Sequence, residues 1–248
     1  LRFVIAGKIT ASRHAALEER LGNMELPRGR ERFALPQERP HRLVAPVYVA
    51  NKTVENLYFY FDTFAKHRLT DPETDALNLL NTMLTETLYS RILGTARERG
   101  LVYGMNSGIS QTKSASNWWF GAQVSDKNAA PLLHIVVNEL SQVLAGQLDE
   151  EEIATTKQYG LGRFQRSAQT VGGTAAGYAG RYFFDGVIDN YYQVPARIKA
   201  VSKEQMIEVA RAMFADNVWG LGVLGNCGKE FTSDLQAQLA PLWTTSTH

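Results

Sequence analysis

Five histidines (His14, His41, His67, His134 and His248) and one cysteine, Cys227, are the side chains that could hold a metal or act as a nucleophile. A zinc hydrolase site built on a helix pairs two histidines one turn apart with a glutamate, as His-Glu-x-x-His or the inverse His-x-x-Glu-His. No two histidines here have that spacing. His134, near Glu139 on an apolar helical stretch, reads as structural. One cysteine excludes an intrachain disulfide and leaves too few thiolates for a structural zinc site. Asn226 and Gly228 place it in a turn, as a passive surface thiol. No serine lies in a Gly-x-Ser-x-Gly elbow. The glycine cluster from Gly172 to Gly180 lacks the Lys-Ser/Thr of a phosphate loop and reads as a flexible break between helices.

The charge balance removes another class. With 26 basic and 25 acidic side chains the net charge is +1, which gives nucleic acid no electrostatic footprint. The one basic cluster, Arg28-Gly29-Arg30-Glu31-Arg32, is diluted by Glu25 and Glu38 and reads as solvated linker. A hydrophobic share of 44% is that of a soluble domain with a proper core. No apolar run reaches the roughly 20 residues that span a bilayer, and the cytoplasm is the default expectation.

The elements follow from periodicity and caps. Leu1–Gly7 is expected as a buried strand and Ser12–Asn23 as a helix; Met24–Pro46, with four prolines, is expected as a linker. Strands are expected at Val47–Asn51, Leu57–Phe61, Val102–Ser110, Asn117–Val124 and Val218–Gly225. A long helix opens at Thr70-Asp71-Pro72-Glu73, with capping-box spacing, and its leucines carry it to about Gly94. Further helices are expected at Pro131–Leu144, from Asp149, and over Ala175–Phe184, Lys203–Phe214 and Phe231–Leu239. Strands joined by short connections, with amphipathic helices between them, predict an α+β fold: a mainly antiparallel sheet with helices packed on one face.

The two ends of the chain repeat each other. At an offset of 218, Ile5 matches Val223, Gly7 matches Gly225, Leu17 matches Leu235 and Leu21 matches Leu239. Each end reads as a strand, a glycine turn and a helix. A duplicated unit is implied, with one copy here together with the last piece of another. Residues 1–44 are then the tail of a preceding half and residues 45–248 a half-domain. Leu1–Gly7 is expected outside the half-domain's sheet, since Val218–Gly225 already supplies its terminal strand.

Ser90-Arg91-Ile92-Leu93-Gly94-Thr95-Ala96-Arg97-Glu98-Arg99-Gly100-Leu101-Val102-Tyr103 resembles the insulinase/pitrilysin family of zinc metallopeptidases, which includes mitochondrial processing peptidase. There a helix ends in Ser-Arg-Leu, and a turn of Arg-Glu-Lys-x-Gly-Leu-x-Tyr type enters a strand. Leu148–Ile153, Ile198–Met206 and the terminal strands also resemble family segments, in the same order, so the likeness runs over nearly the whole chain. The resemblance implies two similar αβ halves, the first holding zinc through His-x-x-Glu-His and a downstream glutamate. The corresponding helix here, Asn78 to Glu86, has no histidine, so the chain resembles the second, non-zinc-binding half.

In this family the second half supplies an arginine and a tyrosine that hold the substrate peptide and its reacting carbonyl. The tyrosine maps onto Tyr103. The arginine usually stands seven residues before it, where this chain has Ala96; a one-residue deletion in the turn lets Arg97 serve, with Arg99 as the alternative. A phenol can donate to a developing oxyanion, and a guanidinium can fork onto carbonyls or a carboxylate. The resemblance therefore implies a substrate-binding, non-catalytic half of a two-half zinc metalloendopeptidase acting on peptides or unfolded polypeptides. This chain would carry no cofactor of its own, and the zinc would lie in a catalytic partner half, in cis or as a separate subunit. The alternative is a catalytically inactive, peptidase-like structural or binding subunit.

Overall fold

Leu57, Phe59, Phe61, Thr63 and Ala65 are fully buried, whereas Tyr58, Tyr60, Asp62 and Phe64 between them are only partly so. That period-two alternation marks a strand with one covered face. It runs over β2 (Leu57–Ala65), four residues beyond the expected end, because Asp62 and Thr63 interrupt the hydrophobic run but not the alternation. The structure, a computed structural model, describes residues 3–26, 29, 37, 39–167, 169–188 and 190–244. Leu1, Arg2, most of the basic cluster, Pro27, Pro36 and His248 lie outside the described residues.

The sheet has five strands in the order β1-β5-β2-β4-β3, where β1 is Val47–Ala50, β3 Met105–Gln111, β4 Ser116–Val124 and β5 Val218–Gly225. All pairings are antiparallel except β1 with β5. On the covered face, Trp118 and Phe120 of β4 and Leu221 and Val223 of β5 join the β2 side chains in one core. Helices α2 (Asp71–Thr85) and α8 (Lys203–Ala215) pack on this layer, and α4 (Asp126–Leu144) lies against α8 and α9 (Lys229–Leu239). The fold is α+β, as expected.

Polar groups inside this core are paired. The Thr63 hydroxyl donates to the Met213 carbonyl at 2.6 Å and accepts from Trp243 Nε1 at 3.0 Å. Trp243 is brought there by α10 (Pro241–Thr244) and stacks on Trp219 with ring centroids 4.1 Å apart. The Trp118 indole donates to Asn81 Oδ1 at 2.9 Å.

The helix expected from Thr70 to Gly94 is two helices. Its start is as read: the Glu73 carboxylate accepts the Thr70 backbone N–H at 2.7 Å. The apolar period continues through Leu88 and Ile92, but α2 stops at Thr85 and α3 (Arg91–Glu98) begins after Ser90, which has the extended backbone of an N-cap. Ser90 N–H donates to the Thr87 carbonyl at 3.1 Å, closing a turn that leaves Leu88 and Tyr89 exposed. A Cβ on Gly94 would lie 2.7 Å from the Leu88 carbonyl oxygen, so glycine there lets the turn sit against α3.

The described residues of 38–161 and 193–248 form one compact unit, and those of 1–37 and 162–192 a second. In the second unit, α1 (Ala11–Gly22) is capped by Thr10, and α6 (Val171–Asp185) by Thr170, whose hydroxyl accepts from Gly173 N–H at 3.0 Å. The glycines expected to break helices lie inside α6. Residues 3–7 form no strand and stay outside the sheet, with Phe3 and Ile5 about half exposed. An extended segment needs a neighbouring strand for its backbone groups, and among the described residues none pairs with it.

Candidate functional site

The two ends of α3 are locked by contacts outside the Arg97 and Tyr103 side chains. Arg91 at its start is 16% exposed and donates through Nε and Nη2 to Glu152 of α5 (Glu150–Ser167) at 2.6–3.0 Å. Its Nη1 reaches the Gln147 carbonyl at 3.0 Å. Hydrogen bonding to Glu152 raises the Arg91 pKa further, so this cation is permanent. At the C-terminus, Leu101 N–H bonds the Ala96 carbonyl and Gly100 N–H the Arg97 carbonyl, both at 2.9 Å, with Gly100 left-handed at φ +65°. That double closure is a Schellman motif, which needs glycine at this position. Asn128 Nδ2 then holds the Leu101 carbonyl at 3.0 Å.

Chain leaving this motif buries Val102 and expels Tyr103, which is 90% exposed. The strand therefore starts at Met105, three residues later than expected, and Tyr103 sits in the loop before it. Arg97 and Tyr103 are brought together: Arg97 Nη1 donates to the Tyr103 carbonyl at 2.7 Å, and its guanidinium carbon lies 5.2 Å from the ring centroid. At an exposed site such a cation–π contact contributes about 0.5–1 kcal/mol and fixes the ring more than it stabilises the fold. Among the described residues nothing hydrogen-bonds the Tyr103 hydroxyl, so it is available as a donor. Arg99 caps α3 and is exposed. Ala96, seven residues before Tyr103, is fully buried, so an arginine there would point into the core.

The stretch of α2 from Asn78 to Glu86 carries no histidine, and its polar side chains bond within the domain. Along α2, Asn81 accepts from Trp118, and Thr85 shares a 2.5 Å hydrogen bond with Ser107. Among the described residues, no three histidine, cysteine or carboxylate side chains converge on a point where a metal ion could bind. At Cys227, burial and then the Asp126 carboxylate push the thiol pKa up, against the thiolate a nucleophile needs.

A second feature is not legible in the sequence. A cavity of about 610 Å³ opens on the sheet face that carries Tyr60, Asp62 and Phe64. Asn117 Nδ2 donates to Asp62 Oδ1 at 2.8 Å. Burial pushes the Asp62 carboxyl up to about 6, against the Asn117 hydrogen bond, which pulls it down. Burial, then Asp62 and Tyr58, push Tyr60 up to about 12. The Tyr60 ring stacks on Trp119 at 5.2 Å, and Gly121 leaves it room, since a Cβ there would lie 3.2 Å from that ring. Only the strand register juxtaposes these residues.

Residues 1–159 match the peptidase M16 inactive domain. The chain belongs to the peptidase M16 family, as a domain of this inactive kind. No curated protein matches it in sequence. Among solved structures, a protease from Helicobacter pylori aligns with a TM-score of 0.72 at 15% identity, covering 88% of this chain and 54% of that one. A peptidase M16 inactive domain from Pseudomonas fluorescens gives 0.73 at 14% identity, covering 90% and 52%. A chain of complex III from Candida albicans gives 0.71 at 14% identity, covering 91% and 56%. At these identities the likeness is one of fold, and this chain spans about half the length of each.

Proposed function

We propose that this chain is the substrate-binding, non-catalytic half of a two-half zinc metalloendopeptidase that cleaves peptides or unfolded polypeptides. On this reading residues 1–44 are the tail of the catalytic half, and residues 45–248 face that half's zinc across the peptide. Tyr103 donates its hydroxyl to the oxyanion that forms on the scissile carbonyl, and Arg97 holds the ring and neighbouring peptide carbonyls. The observation that carries the reading is the placement of Tyr103: a rigidly anchored loop presents it outward with its hydroxyl unengaged, and Arg97 packs against it. Neither residue contributes to the core, so packing does not account for the arrangement.

The test is to assemble the chain with its catalytic half and compare peptide turnover and melting temperature for wild type, Tyr103→Phe, Arg97→Ala and Arg99→Ala. Loss of one oxyanion donor lowers the rate roughly a hundredfold to a thousandfold, about 2.7–4 kcal/mol. Tyr103→Phe is expected to do this with an unchanged melting temperature, because its hydroxyl bonds nothing among the described residues. Undiminished turnover in Tyr103→Phe removes Tyr103 from the site. A silent Arg97→Ala beside an impaired Arg99→Ala moves the guanidinium role to Arg99. An assembly that forms but cleaves nothing supports the structural or binding subunit.

A further inference from the structure

The loop that carries Tyr103 is held from two sides, and Arg97 is only one of them. The other is Asn128, the third residue of α4, whose Nδ2 donates to the Leu101 carbonyl at 3.0 Å and to the Gly100 carbonyl at 3.5 Å. Neither carbonyl accepts a backbone hydrogen bond among the described residues, so the amide takes the place of a backbone partner. Asn128 is itself fixed. Its backbone N–H bonds the Ser125 carbonyl at 2.9 Å, and Ala129 and Leu132, which follow it in α4, are fully buried. Ser125 alone separates α4 from β4, so the clamp is referenced to the sheet and not to α3. On the loop side, buried Val102 is the single residue between the clamped Leu101 carbonyl and Tyr103. Arg97 by contrast is exposed, and it reaches the Tyr103 carbonyl through a long, flexible side chain.

From this geometry we infer that Asn128 is a positioning residue for Tyr103: it sets the direction in which the chain leaves α3, and through it the place of the phenol hydroxyl. The inference rests on the oxyanion role proposed above for Tyr103 and adds to it a residue of another helix that touches no substrate itself. Asparagine suits the task because its amide carries two donor hydrogens, one for each carbonyl, whereas aspartate has none. A reacting or stabilising group misplaced by about 1 Å can lose about a hundredfold in rate. The place of Asn128 in the first turn of α4 also separates this role from stability. A carboxylate there is favoured by the positive end of the helix dipole, so Asn128→Asp removes both donors while α4 keeps its start.

The test is a double-mutant cycle in the protein assembled with its catalytic half, reading kcat and KM for an unfolded peptide and the melting temperature of each variant. Asn128→Asp is expected to lower kcat about tenfold to a hundredfold, with KM and the melting temperature nearly unchanged. The same substitution on top of Tyr103→Phe is expected to change kcat less than about twofold, because the donor it misplaces is already gone. Asn128→Ala removes the donors without adding charge and is expected to repeat both results. A fall in kcat confined to Asn128→Asp is an effect of the new charge and overturns the inference. Wild-type kcat in both Asn128 variants, or a fall of the same size with and without the Tyr103 hydroxyl, overturns the positioning role and leaves Tyr103 in place. Tyr103→Phe turning over like wild type overturns the oxyanion role and the positioning role together.

Discussion

Replacing Asp62 by asparagine should make the protein more stable, and by an amount that depends on pH. Its carboxyl pKa is raised from 3.8 to about 6, chiefly by burial. The native state therefore holds this proton to higher pH than the unfolded chain does. Below about pH 4 both states are protonated and the burial costs nothing through ionisation. As the pH climbs through about 6, the native state must ionise a group it disfavours, and the full cost is present above about pH 7. At about 1.36 kcal/mol per pH unit, that elevation sets a ceiling of about 3 kcal/mol. Partial solvent access screens the carboxylate, so a gain of about 1–2 kcal/mol is the reasonable expectation. Asparagine keeps the geometry, since its amide oxygen still accepts from Asn117. Urea unfolding of both proteins at pH 4, 6 and 8 measures the difference. Arg39, His41 and Tyr60 line the same cavity and Tyr58 neighbours Tyr60; all four are common to both proteins, and only their coupling to the Asp62 charge differs. A variant less stable at pH 8, or a gain of the same size at pH 4 and pH 8, refutes the reasoning. A carboxylate that weakens the fold it sits in has the signature of a residue kept for function.

Two further predictions concern the frame that holds the sites. Thr63→Val removes the partner of both the Met213 carbonyl and the Trp243 indole, and should cost about 1–3 kcal/mol in urea unfolding; a neutral result would mean that water reaches this part of the core. Gly94→Ala forces a methyl group against the Leu88 carbonyl and should cost about 1–3 kcal/mol, seen as a lower melting temperature; an unchanged value would show that the 86–90 turn yields freely.

Features whose cause is local can be read from the sequence, and those set by distant residues cannot. Ser202 and Gln205 announce a capping box three residues apart, and both of its hydrogen bonds form. Arg99-Gly100-Leu101 likewise encodes the closure of α3, because a left-handed glycine after a helix is a local requirement. The break between α2 and α3 is hidden because Leu84, Leu88 and Ile92 keep the helical period, and only the cap at Ser90 outvotes it. The strand expected at the start of the chain has a strand's composition but, among the described residues, no neighbour to pair with. Arg97 and Tyr103 stand out through a family likeness, and their contact is short-range enough for the spacing to suggest it. Asp62 gives no signal: its partner Asn117 is 55 positions away, and nothing short of the β2–β4 register brings them together.

The position of β5 between β1 and β2 also constrains how the molecule is made. Tyr58 pairs with Leu224, so the inner edge of β2 waits for a strand that follows 166 residues later. At about 5–20 residues per second, a ribosome leaves that edge open for roughly 10–30 s. Until then the hairpin of β3 and β4 can form beside β2, but the other flank offers unpaired amides and carbonyls next to Phe59 and Phe61. Such an edge invites pairing with another nascent chain. The period between synthesis of β2 and arrival of β5 is thus the interval in which this protein most needs a chaperone, and slow codons placed late in that interval should lower its yield.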